Sequence, residues 1–238
     1  METWQDIKDF FFPAVQDTEA SQSFFTTDQA VAWANGALWE MAQYAQYIDA
    51  VQTQNTVSGT ASYYIGSTGL PPFGVWRVEI DDEKISAIDT RELRKNDFRW
   101  STRSGRPYFY YMDEISPNPD YLRIGLVDNP NGVYELRTYA YGVPAQVAEG
   151  SDTDSVQVPQ WAIYGVLWYM LSEAFMTEGR RQNLATSNFY RMLYDDTLER
   201  LRARTNRKTP KSWVVSGHSG YKGQGFWDNL PDTIPEPT

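Results

Sequence analysis

At 238 residues the chain is about one and a half times the ~150 residues of a typical domain, and its 16 Tyr, 11 Phe and 9 Trp within a 41% hydrophobic composition exclude wholesale disorder. A net charge of -10, from 21 Lys plus Arg against 31 Asp plus Glu, has the wrong sign for gripping nucleic-acid phosphates. The absence of cysteine excludes disulfides, thiolate metal sites and cysteine nucleophiles together, and the single histidine, His218, limits the catalytic menu further, because the Gly- and Ser-rich run 216–220 is not the rigid setting that a triad or imidazole metal site needs. No apolar run approaches the ~18 residues that span a membrane, and Glu2, Asp6 and Asp9 stand where a signal peptide carries Lys or Arg, so a soluble protein made in the cytoplasm is expected.

In chain order, a short helix is expected around Trp4 to Phe12, ended by Pro13. From Thr27 to Val51, Ala30, Val31, Ala34, Ala37, Leu38, Met41, Ala45 and Ile48 follow the three-four spacing of an amphipathic helix, with Thr26, Thr27 and Asp28 as its capping cluster. Between about Val57 and Val143 the period shifts towards two. Strands are expected at 75–80 and 84–88 about a turn at 81–83, then a short helix at 90–97, then strands at 108–112, 121–127 and 133–141. The last two are joined through Asn129-Pro130-Asn131-Gly132, which reads as a hairpin turn.

The polar run 150–155 reads as a linker, after which Pro159 suits the first position of a helix that is apolar over most of its surface. Its apolar residues are Trp161, Ile163, Tyr164, Val166, Leu167, Trp168, Leu171 and Phe175, and Glu178-Gly179-Arg180 ends it. A second helix from Gln182 to Arg204 carries Tyr190, Leu193, Tyr194, Thr197, Leu198 and Leu201 on one face, so the two should pack antiparallel. Beyond Arg207 an extended arm is expected. Its isolated aromatics, Trp213, Tyr221, Phe226 and Trp227, are more than a solvated linker needs and suit docking into a partner.

Two carboxylate pairs, Asp81-Asp82 and Asp195-Asp196, together with the aromatic runs Tyr63-Tyr64 and 108–111, are the features that would serve a carbohydrate-binding or glycoside-hydrolysing protein. Adjacent acids in a turn and on a helix face are more often simply solvated, and aromatics alternating along a strand more often form core and contacts. No phosphate-loop, nucleotide or metal motif is present, so no catalytic residue, cofactor or metal ligand is assigned. The charge distribution is more telling. Eight acids against Lys8 occupy the first fifty residues, whereas Arg180, Arg181, Arg191, Arg200, Arg202, Arg204, Arg207, Lys208 and Lys211 crowd the last helix and its exit. An acidic end and a basic end permit head-to-tail contacts between copies, the kind that closes into rings.

The ordered set of elements resembles the phage head-tail adaptor (connector) proteins, ring-forming subunits bound beneath the portal. The likeness rests on the acidic helix at 27–35, a β-region with Trp100, Gly105-Arg106-Pro107-Tyr108-Phe109-Tyr110 and Tyr121-Leu122-Arg123-Ile124, and a strand ending in 136–144. The acidic linker 151–154, Val158-Pro159 and the long helix pair complete it, covering about 26–204.

The resemblance implies an α+β chain, mainly a helical bundle with an inserted antiparallel β-domain and an extended C-terminal arm. The division would be 1–55 for the first helices, 56–150 for the β-domain, 151–206 for the helix pair and 207–238 for the arm. It further implies a non-enzymatic virion protein at the head-tail interface, assembled as a ring of twelve between the portal and a downstream tail or nozzle protein. Genomic DNA would pass through the channel without specific binding. Trp213, Tyr221, Phe226 and Trp227 are then the candidate portal anchors, and Arg200, Arg202 and Arg204 the candidate inter-subunit or portal salt bridges. Twelve copies at -10 carry roughly -120, a charge that repels the DNA backbone and lets it slide.

Overall fold

A computed structural model describes residues 3–17, 24–66, 72–96, 99–112, 122–150, 152–153, 155–177 and 182–206. These fall into two compact units, one formed by Met1–Asp49 with Tyr141–Lys208, the other by the intervening Ala50–Ala140. His218 and the four arm aromatics lie outside the described residues, as does the Glu178-Gly179-Arg180 helix stop.

The first unit is helical. Helix α1, Trp4–Ala14, starts from a reciprocal capping box in which the Asp6 backbone N–H donates to Thr3 Oγ1 (3.2 Å) and the Thr3 N–H donates to Asp6 Oδ2 (3.1 Å). It buries Trp4, Ile7 and Phe11 at three-four spacing. Pro13 does not end the helix ahead of itself as expected; it sits within the final turn, where its missing N–H costs one bond at a point where the helix is already finishing. Helix α2, Thr27–Ala45, repeats the capping box with Thr26 and Gln29.

Helix α2 is six residues shorter at its end than the spacing predicts. Gln46 turns left-handed (φ 51°) and its N–H closes on the Ala42 carbonyl at 2.9 Å. A left-handed cap favours glycine because a Cβ there crowds the backbone. Gln46→Gly is therefore expected to stabilise the protein by about 0.5–1 kcal/mol, seen as a higher urea midpoint at unchanged slope. A single 3-10 turn leads into α4: Pro159 stands just ahead of that turn, at Gln160–Ala162, in place of opening the helix itself, and the α-helix proper spans Ile163–Met176. Helix α3, Thr90–Asn96, belongs to the other unit, and α5, Leu184–Asn206, completes this one.

Helix α4 is the centre of the helical unit, with α1, α2 and α5 all packed on it. The α4–α5 pair is antiparallel: Ser187 Oγ donates to the Ser172 carbonyl, and Phe175 stacks on Tyr190 at 6.0 Å. Trp4, Ile7, Phe11, Leu38, Met41, Val166, Met170, Tyr194 and Leu201 share one core. The linker expected at 150–155 also ties down α1. Lys8, buried in the core layer, reaches Asp152 Oδ1 at 2.6 Å, and the Gln5 N–H donates to the Asp152 carbonyl.

The second unit is built on strands β1 (Asp49–Asn55), β2 (Ser62–Ile65), β3 (Gly74–Ile80), β4 (Glu83–Ala87), β5 (Ser104–Gly105), β6 (Phe109–Met112), β7 (Leu122–Val127), β8 (Asn129–Pro130) and β9 (Glu135–Tyr141). Seven of them form one sheet in the order β1-β9-β3-β4-β6-β7-β2. The β-region is therefore mostly antiparallel, not wholly so, because β4 pairs with β6 and β5 with β8 in parallel. Together with the helices this makes an α+β protein of two units and not a plain helical bundle.

Two strand expectations need correction. The run Asn129-Pro130-Asn131-Gly132 does connect β7 to β9, but the two do not pair: β7 lies between β6 and β2, and β9 between β1 and β3. Asn129 and Pro130 form β8 and are engaged with Ser104 and Gly105 of β5. Strands β1 and β2 are additional. They stand at opposite ends of the sheet order, yet Gln52 Nε2 and Gln54 Nε2 both donate to the Tyr64 carbonyl (3.3 Å), and the Gly66 N–H donates to Gln52 Oε1 (2.8 Å). Side-chain amides thus join the two edges, and the sheet curls around a core of Tyr63, Val78, Ile80, Tyr110, Ile124, Leu126 and Leu136.

Candidate interaction surface

The sequence places its candidate ion-pair residues on the last two turns of α5, and the structure gives each an intramolecular neighbour. Arg202 Cζ lies 4.8 Å from the Tyr44 ring centroid, and its Nη1 donates to the Tyr44 hydroxyl at 2.8 Å; that hydroxyl in turn donates to Glu199. Arg204 Cζ lies 4.1 Å from the Trp161 ring, and among the described residues it has no carboxylate within ion-pair distance. Arg200, 70% exposed, pairs with Asp196 one turn back at 2.8 Å. At 100° per residue, positions 202 and 204 are turned 200° apart on the helix. Arg202 therefore serves the α2 flank, whereas Arg200 and Arg204, one turn and about 40° apart, share the opposite face, Arg204 over Trp161 ahead of α4 and Arg200 exposed.

Further up α5, Arg191 fastens the bundle together. Its Nη2 reaches Glu40 of α2 at 2.9 Å, its Nε lies 3.4 Å from Asp195, and its guanidinium sits over both Tyr169 (5.2 Å) and Tyr194 (5.0 Å). Burial works against its charge, but Glu40 and Asp195 more than offset that and push the guanidinium pKa up. Burial also pushes up the hydroxyls of Tyr194 and Tyr169, helped at Tyr194 by Glu40 and at Tyr169 by Glu173. Cation-π contacts of partly desolvated arginines are worth on the order of 1–2 kcal/mol each. Arg191 thus has a structural role.

The aromatic partners, Tyr44 and Trp161, were not legible as such. Tyr44 falls on a helix read as an apolar stripe, and Trp161 among residues expected to be buried. Helix α4 is central, yet one stripe of it, continued into the 3-10 turn before it, stays open: Trp161 of the turn and Tyr164 are exposed, while Trp168 and Phe175 are partly covered. Tyr164 packs on Trp168 at 6.2 Å, and Phe189 of α5, also exposed, lies edge-on to Tyr190 at 5.5 Å.

The carboxylate pairs are spent on structure. Asp81 and Asp82 both adopt positive φ (50° and 63°) in the tight turn between β3 and β4. Asp81 Oδ1 accepts the Glu135 N–H at 2.9 Å, and Asp82 holds Arg137 at 2.6 Å. Asp195 and Asp196 belong to Arg191 and Arg200. Within the strands the aromatics alternate, Tyr63 and Tyr110 entering the β-core and Tyr64 and Phe109 facing out, but Tyr108, expected to share the face of Tyr110, precedes β6 and is exposed. Among the described residues no three His, Asp or Glu side chains gather as a metal site, and no helix is long and apolar enough to cross a membrane.

What this arrangement offers is interaction, through arginines laid over exposed aromatics, side-chain types that dominate protein interfaces. Compared with known families, residues 3–215 match the family model described as SU10 adaptor protein. No curated protein matches the chain.

Proposed function

Because the chain belongs to the SU10 adaptor protein family, a phage head-tail adaptor family, we propose that it works as one subunit of a twelve-membered ring between the portal and the next tail component, with the genome passing through the ring. Membership makes it a structural virion protein that associates with portal and tail components. The observation that carries the reading is the extent of the match, which spans both compact units and runs past the end of α5.

In this reading function resides in interfaces. The arm, 207–238, docks on the portal through Trp213, Tyr221, Phe226 and Trp227, because large aromatic anchors contribute most per residue to binding. Arg200 and Arg204, outward or without a carboxylate partner among the described residues, are available for salt bridges to the portal or a neighbouring subunit; Arg202 joins them by exchanging its Tyr44 contact. The net charge of -10 per copy keeps the ring from holding DNA by its phosphates.

Electron microscopy of this chain mixed with its portal, with and without 207–238, tests the reading. A ring beneath the portal that depends on the arm is expected. A ring that forms without the arm removes the anchor assignment and keeps the adaptor role, and no ring in either case overturns both.

A further inference from the structure

The open stripe of α4 is a surface that the helical unit leaves uncovered. Trp161, Tyr164, Trp168 and Phe175 follow one another at spacings of three, four and seven, one face of a helix. Phe189 and Tyr190 of α5 extend the same row through the Phe175 stack. Trp161 is 40% exposed, Tyr164 45% and Phe189 52%. The outward side of a helix pair in a self-contained unit carries charged and polar residues, and a contiguous aromatic row in their place marks an interface. One end of this row is basic, with Arg204 lying over Trp161 and Arg200 beside it.

The opposite sign lies on the α1–α2 side of the same unit. The one cation within the first fifty residues, Lys8, is buried against Asp152, so α1 and α2 expose Asp9 and Asp28 and contribute no exposed Lys or Arg of their own. On α2, Asp28, Ala32, Trp39 and Gln43 are exposed along one stripe, and Trp39 is its large apolar side chain, 40% exposed. Helix α2 meets α4 from another side, where Gly36 faces Tyr169 and Met41 faces Gly165. The α2 stripe, with Asp28 at its start and Trp39 further along, and the aromatic row, with Arg204 and Arg200 at one end, are therefore two different surfaces of one unit, each carrying exposed aromatics and one charged end of opposite sign.

We propose that the aromatic row on α4 and α5 of one copy receives the outer stripe of α2, centred on Trp39, from a second copy of this chain. The contact is head-to-tail, with unlike surfaces meeting, and repeats around a closed ring. Asp28 approaches the arginine end of the row and Trp39 enters among its aromatics, so that charge sets the direction and apolar burial supplies the hold. This inference rests on the ring reading above and adds to it the two faces that meet.

The chain has no cysteine, so single cysteines report cleanly. Full-length Trp39→Cys and Phe189→Cys chains are mixed, assembled on the portal and treated with a short bismaleimide. A covalent dimer is expected from the mixture and from neither variant alone. A dimer from Phe189→Cys alone shows like faces meeting and overturns the proposal, as does the absence of any mixed dimer in rings seen by electron microscopy. Rings without the mixed dimer leave the adaptor reading intact; no rings at all overturn both. As a second measurement, Phe189→Glu sets a carboxylate into the apolar contact around Trp39 and is expected to lower ring occupancy at least tenfold with its melting temperature unchanged, whereas Phe189→Leu retains the ring. Equal occupancy for Phe189→Glu and the parent chain overturns the proposal.

Discussion

Replacing Gly125 with alanine will destabilise the protein by about 2–3 kcal/mol, the cost of overpacking a well-filled site, read as a lower urea midpoint at unchanged slope. Gly125 on β7 stands directly opposite Tyr111 on β6, and the Tyr111 ring lies across the space that a side chain would occupy. A Cβ at 125 meets the Cζ, Cε1 and hydroxyl oxygen of that ring well inside contact distance. The ring is not free to swing aside, because Trp100 packs against it edge-on at 5.4 Å. Gly125 has no left-handed backbone angle, so it is required for room and not for conformation. An aromatic ring laid over a strand glycine replaces the cross-strand contact the glycine cannot make itself. The double variant Gly125→Ala with Tyr111→Ala should accordingly be more stable than the sum of the two single losses predicts, by the interaction term of a double-mutant cycle. Strict additivity would show that the ring does not need the space.

At alkaline pH the Tyr110→Phe variant will outlast the parent chain. Tyr110 is buried in the β-core, and burial pushes its hydroxyl up to about 12 from an ordinary value of 10. A group whose pKa is raised by folding contributes its stability in full below the unfolded value and loses it as pH rises towards the folded one. The window here is pH 10 to 12, because the unfolded chain releases this proton first. Each pKa unit is worth 1.36 kcal/mol, so the phenylalanine variant should gain about 1.4 kcal/mol on the parent between pH 8 and pH 11. Urea unfolding of both chains at the two pH values checks this. An equal fall in both would place the alkaline loss elsewhere, with Tyr194 next, since burial pushes its hydroxyl up as well.

Helices α2, α4 and α5 were legible in the sequence because their apolar residues recur at three and four, and the 3.6-residue period leaves few other readings. The end of α2 was not legible. Ala45 and Ile48 continue the helical spacing, but Gln46 turns left-handed and the chain leaves as β1, whose alternation of Val51, Gln52, Thr53 and Gln54 carries no apolar period. The polar residues of β1 make sense only with the far edge of the sheet in place, because Gln52 and Gln54 are there to reach Tyr64 and Gly66. The same holds for Asn129-Pro130, which looks like a local turn and is engaged by β5.

At the interaction surface, the arginines of α5 were visible as a run of charge. Their division between two flanks needed helix geometry, and their aromatic neighbours come from distant sequence: Tyr44 lies 158 residues from Arg202. A charge count cannot tell an arginine stacked within its own chain from one left outward. That distinction separates Arg202, bonded to Tyr44, from Arg200 and Arg204.

The helical unit is assembled from both sides of the β-unit, with α1 and α2 before it and α4 and α5 after it. During synthesis, at ~5–20 residues per second, the ribosome therefore spends several seconds on the β-strands while α1 and α2 wait with Trp4, Ile7, Leu38 and Met41 uncovered. Neither the row on α4 and α5 nor the stripe on α2 exists in its final form until α4 has emerged and closed the core. The order of the chain thus delays closure of the helical core until the whole β-unit has been made. Moving α1 and α2 to follow α5 by circular permutation would remove the delay.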